Sequence, residues 1–228
     1  MYLEELDRYE NGLIEKFRSH PVFTNIKTLS DSEFKNMLVQ KRFISLSFTP
    51  LYDCAIDAIE DKEGKTLLRQ LLREEYPKGQ SHRENLVTDL IKIGITKKEI
   101  LETEPTKETI EAIKSLFALL KFQDFHDIKI LVSLRMAEEL LVAEEYSFIL
   151  AELKSRYNIH INDSIFYGPH YMHDRKQKPF GVSGESHADK FNKILAAIIN
   201  MEEKCAAAKH AIAAACEARM KFFDQFVK

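Results

Sequence analysis

Only 13 of the 228 residues are glycine or proline, 7 and 6 respectively, about half of the roughly 12 per cent that average usage supplies. Sheet proteins turn every few residues and draw on these two residue types to do it. A chain this poor in them folds into helices. The strongest case is residues 127–157, a run of 31 without either residue, far longer than a strand. With 45 per cent hydrophobic and 30 per cent charged residues, the chain has the apolar content for one sizeable core and is not of a disordered class.

Helix signals punctuate the rest. Residues 2–19 read as an amphipathic helix ending at His20-Pro21. Ser30-Asp31-Ser32-Glu33 is a capping-box pattern opening a long helical stretch to about Glu60, which Pro50 is expected to kink. A polar break at 61–64 precedes a helix from about Lys65, disturbed by Pro77 and Gly79 and resuming through His82 to Ile93. Gly94 suits a helix C-cap, Thr96-x-x-Glu99 starts a short helix, and Pro105-Thr106 begins another ending near Lys121. Residues 158–186 hold Gly168, Pro169, Pro179, Gly181 and Gly184 and read as the one long irregular region. From His187, apolar positions keep helical spacing to the C-terminus. The expectation is an all-α, single-domain bundle of seven or eight helices over residues 1–228.

Thirty-three basic against 36 acidic side chains leave a net charge of -3. No basic surface of the kind nucleic acid requires is implied. Cys54, Cys205 and Cys216 are odd in number and widely spaced, which suits a reducing compartment and neither a disulfide framework nor a zinc knuckle. Acidic residues crowd the first 19 positions, so no signal peptide is visible. The longest uncharged stretches, such as 43–52, fall short of the ~20 residues a membrane span needs. A cytoplasmic protein, bound neither to nucleic acid nor to membrane, is the expectation. Each cysteine is expected to pack as a small apolar residue, Cys54 among Leu51, Ala55 and Ile56.

Three clusters could carry chemistry. Glu75 and His82 lie seven apart, two helical turns, so both can project from one face. Glu138 and Glu139 sit in a helix apolar around most of its circumference, where a buried carboxylate requires a partner or a metal; Arg135, four residues before Glu139, is one such partner. His170 and Asp174 are one turn apart, with His173 beside them and His187 further on. Taken alone, the first cluster reads as two solvated side chains and the third as a surface loop with incidental histidines, while the glutamate pair is evenly balanced. Together they supply the carboxylates and imidazoles that non-haem iron or manganese prefers.

Motifs around these clusters give a resemblance. His20-Pro21-Val22-Phe23 precedes the second helix, Tyr76-Pro77 and Gly79 lie between Glu75 and His82, and Ile93-Gly94-Ile95-Thr96 runs on to Glu104-Pro105. As a set they are similar to the haem-oxygenase-like superfamily that includes TenA and the pyrroloquinoline-quinone synthesis oxidase. Within it they most resemble the dimetal oxidases grouped with the chlamydial protein associating with death domains. The likeness covers roughly residues 18–191.

That family's metal ligands follow the order Glu-x6-His, one central Glu, then His-x3-Asp-x2-His. Residue by residue, the resemblance implies Glu75, His82, Glu139 (with Glu138 in reserve), His170 and Asp174. Gln177 stands where the last histidine is expected. An insertion of ten residues within 176–185 returns the chain to Ser186-His187-Ala188, making His187 the implied sixth ligand and His173 its substitute. The resemblance further implies two iron ions, or one iron and one manganese, with dioxygen as co-substrate.

Relatives are linked to p-aminobenzoate formation from the protein's own tyrosine and lysine. The tyrosine position is Phe23 and the lysine position falls near Ile149, while Lys154 and Tyr146 lie in the neighbourhood without matching. A small molecule or a self-derived amino acid is the implied substrate, and a homodimer and a death-domain protein are implied partners. Two other readings stay open: a metal-free oxidase in which His82, His170 and Arg135 bind an acidic substrate, and a helical protein-interaction module.

Overall fold

The computed structural model describes residues 2–75, 81–174, 176 and 185–227. Its described residues form helices and no strand. In chain order these are α1 (Tyr2–Arg18), α2 (Pro21–Thr24), α3 (Asp31–Ala58), α4 (Lys62–Glu74), α5 (His82–Lys92), α6 (Lys97–Glu102) and α7 (Lys107–Ala118), then α8 (His126–Leu134), α9 (Leu141–Tyr157), α10 (Tyr167–Asp174), α11 (His187–Ile198) and α12 (Glu202–Asp224). A π-helical turn, Arg135–Leu140, joins α8 to α9. The described residues therefore hold more helices than the seven or eight expected. Four-residue α2 and eight-residue α10 are too short to show a period, and the last run breaks between α11 and α12.

Local chemistry accounts for the helix starts. Ser30 Oγ accepts from Glu33 N at 3.3 Å while Glu33 Oε2 accepts from Ser30 N at 2.8 Å, and the same reciprocal box opens α5 at Ser81, α6 at Thr96 and α11 at Ser186. Asp61 caps α4 by accepting from Gly64 N at 2.6 Å, so that helix begins at Lys62 and not at Lys65. Gly94 ends α5 at φ +84°, a conformation that glycine adopts without strain. The α-helix α3 runs through Pro50, which is exposed.

Packing places α12 against α1, α7 and α8, with α10 on α9 and α11 on α4. One continuous apolar cluster links these helices, and Cys205 and Cys216 belong to it as expected. Cys54 does not: it is exposed. Leu51, Tyr52, Ala55 and Ile56 form the buried stripe of α3, and Cys54 falls between them on the solvent side. Among the described residues no helix is long and apolar enough to cross a membrane.

Candidate metal centre

Two short helices and one irregular turn bring the clusters together. His82 and His187 are each the first residue of a helix, α5 and α11, set by the serine caps at Ser81 and Ser186. Glu75 closes α4, and its carbonyl accepts from His82 N at 3.0 Å. His170 and Asp174 lie on α10, inside the region expected to be irregular. Asp89, buried on α5, fixes that helix. Its carboxylate accepts from Ser164 Oγ at 2.6 Å and from the backbone of Ile165 and Phe166 at 3.2 and 2.9 Å. Gly168 makes the fit possible, since a Cβ there would meet the Ile161 carbonyl oxygen at 2.3 Å.

The π turn carries Glu138 and Glu139. In a regular helix with one core-facing stripe, adjacent residues diverge by about 100°; here both glutamates are buried and both line the same cavity. π turns of this kind recur at functional sites. The uninterrupted α-helix expected over 127–157 is thus corrected at its centre. Arg135 is corrected too. It turns away from Glu139, forms a salt bridge with Glu10 and donates Nε to the Ala188 carbonyl at 3.3 Å.

The six residues named from sequence fall into two trios. In the first, His82 Nδ1 lies 2.9 Å from Glu75 Oε1 and the His82 and His170 rings are 4.6 Å apart. In the second, His187 Nδ1 lies 2.9 Å from Glu139 Oε2 and 3.1 Å from Asp174 Oδ1. Within each trio one donor atom per residue comes within 4.8 Å of the others. Both trios border one cavity of about 690 Å³, walled on its apolar side by Phe48, Leu71, Val142, Tyr146, Ile165 and Phe166. Glu138 and His173 border it as well but join neither trio; the His173 ring stacks on His187 at 6.3 Å. Gln177, Tyr76, Pro77, Gly79 and the insertion positions 177–184 lie outside the described residues.

Charge and hydrogen bonding suit cations. The Nδ1 of His170 faces the Phe166 carbonyl at 2.7 Å, which fixes the N–H on that atom and leaves Nε2 as a free lone pair. Burial, and then the neighbouring His82, holds His170 down to about 4, so its imidazole is neutral. His187 behaves oppositely. Burial works against its charge, but Glu139, Asp174 and Glu74 outweigh it and keep the imidazole protonated. Burial and Glu139 in turn push the Asp174 carboxyl up. One Nδ1 proton cannot serve both Glu139 and Asp174, and Asp174 Oδ1 is left without a hydrogen bond of its own. Two buried acidic groups thus face a single N–H, an arrangement with the chemistry to hold a divalent ion.

Sequence reasoning missed the supports of this trio. Glu74 Oε2 lies 2.8 Å from His187 Nε2 while its other oxygen accepts from Lys190 at 3.0 Å. The His187 bond holds the Glu74 carboxyl down to about 2. Tyr52, fully buried on α3, donates to Glu139 Oε1 at 2.7 Å. Nothing in the sequence gives Glu74 a role beside Glu75, or separates Tyr52 from any other core tyrosine. The positions named as the family's substrate side chains are elsewhere: Phe23 stacks on Phe148 at 4.8 Å and Ile149 is core. His20 is held by Asp224 at 3.0 Å and caps α2.

No family model and no curated protein matches this chain by sequence. Solved structures do match in shape. A CADD-like protein of unknown function from Nostoc punctiforme superposes with TM-score 0.75 at 13% identity, over 98% of this chain and 97% of its own. A domain of unknown function with a heme oxygenase-like fold from Shewanella denitrificans gives 0.76 at 14%, over 98% and 91%. A TenA homologue from Pseudomonas syringae gives 0.74 at 10%, over 100% and 93%.

Proposed function

From a chain with the haem-oxygenase-like fold, we propose a non-haem dimetal oxidase. Two divalent ions, iron with manganese as the alternative in one position, are held by Glu75, His82 and His170 on one side and Glu139, Asp174 and His187 on the other. The observation that carries this is the convergence of all six donors on one cavity in two groups of three. Two reduced ions bound there would supply electrons to dioxygen, and a C–H or N–H bond of the substrate would be oxidised.

The chain's own part is to prepare the site. Three carboxylates offset most of the charge of two dications, and neutral imidazoles complete the set without adding charge. Glu74 accepts a hydrogen bond from the Nε2–H of His187, which would leave Nδ1 to the metal, and Tyr52 holds one oxygen of Glu139 so that Oε2 alone faces the trio. The apolar wall keeps water from a low-dielectric site. With Phe23 and Ile149 in the core, neither position offers a side chain to the cavity, and the substrate favoured by this reading is a small molecule admitted to it. The metal-free reading loses Arg135, whose charge is spent on Glu10.

The test is dioxygen uptake by protein loaded with ferrous iron under anaerobic conditions and then exposed to air. Uptake in proportion to protein, abolished in Asp174→Ala and His170→Ala, is expected. Equal uptake by the wild type and both variants would overturn the proposal.

A further inference from the structure

Glu138 shares the cavity wall with the trios but not their contacts. Its side chain is buried, with the residue 6% exposed, and Oε1 has no hydrogen-bond partner. The guanidinium of Arg219 stays 4.0 Å away and directs Nη2 to Glu145 at 2.5 Å instead. Lys41, a buried cation on the cavity wall, is taken by Glu145 and Ser45, each at 3.2 Å. A desolvated carboxylate oxygen without a hydrogen-bond partner demands a donor, and a charged donor gives it the stronger bond.

We propose that Glu138 anchors the amino group of a small primary amine whose apolar body lies along Val142, Tyr146 and Phe166. The cavity has the volume for such a ligand. Its wall carries five acidic side chains, Glu74, Glu75, Glu138, Glu139 and Asp174, against the cations Lys41, Arg73, Arg83 and the protonated His187, a balance that favours an amine over a carboxylate of the same shape. The inference rests on the metal-centre reading for what becomes of the amine and not for its binding.

The test measures binding of benzylamine, benzyl alcohol and phenylacetate by calorimetry to zinc-loaded and to metal-free protein, with zinc counted by elemental analysis. Benzylamine should bind the wild type more tightly than either neutral or anionic analogue. Glu138→Gln should weaken it at least tenfold while keeping the wild-type zinc content. Unchanged benzylamine affinity in Glu138→Gln, or tighter binding of phenylacetate to the metal-free wild type, overturns the proposal. So does loss of a zinc ion in Glu138→Gln, which would make Glu138 a metal ligand. If the wild type takes up no zinc, the metal reading fails by itself and the metal-free measurements still decide on Glu138. Should Glu138→Gln not fold, Val142→Trp fills the space of the apolar body and is expected to abolish benzylamine binding; retained binding overturns the proposal equally.

Discussion

Tyr52 and Lys41 show how single side chains set this site. The Tyr52 hydroxyl is the only hydrogen-bond donor the structure gives to Glu139 Oε1 among the described residues, and partners of this kind typically change metal affinity by about 10–100-fold. Tyr52→Phe should therefore keep the fold and weaken one metal ion at least tenfold in a competition titration against a chelator. Unaltered affinity would show that Glu139 needs no such support. Lys41 is held by burial down to about 8 in the folded protein, against 10.5 as its ordinary value, although Glu145 opposes the shift. The folded state thus binds fewer protons than the unfolded chain between those two values, so Lys41 makes the protein more stable as pH rises from 8 to 10.5. Across that window the contribution is at most about 3 kcal/mol. Lys41→Met should lack the rise when denaturant midpoints are compared at pH 8 and 10; a parallel rise in both proteins would refute the assignment. Much at this scale was beyond reading in a sequence. Glu139 could be told from Glu138 only by counting from flanking residues, and Arg135 at the right spacing bonded to another helix.

Helices explain which expectations held. Capping boxes at Ser30 and Thr96 are local, involve four residues and were legible. The π turn is not, because Arg135–Leu140 has the same apolar pattern as the α-helix around it; only the packing of two buried glutamates reveals it. Short α10 was hidden by Gly168 and Pro169, residues that elsewhere mark loops. Here the glycine is a packing requirement. In Gly168→Ala the new Cβ would meet backbone at 2.3 Å, so α10 must move, at a cost of about 1–3 kcal/mol. Because His170 and Asp174 ride on that helix, the variant should lower both the melting temperature and the metal content. A variant with a lower melting temperature and full metal content would show that α10 can shift without disturbing its ligands.

At the scale of the whole molecule, the helical class followed from the scarcity of chain-breakers, and the shape is shared with proteins only 10–14% identical. Such identity transmits a fold and not an activity, so the function has to be argued from the cavity. Among the described residues, seven helical segments contribute to that cavity, from Lys41 on α3 to His187 on α11, which is why no short stretch of sequence contains it. Elemental analysis of protein reconstituted with ferrous iron without oxygen tests the account most directly. Two ions per chain in the wild type, with one each in Glu75→Ala and Asp174→Ala, is the predicted result. Wild-type protein that retains no stoichiometric metal, or variants that retain both ions, would contradict it.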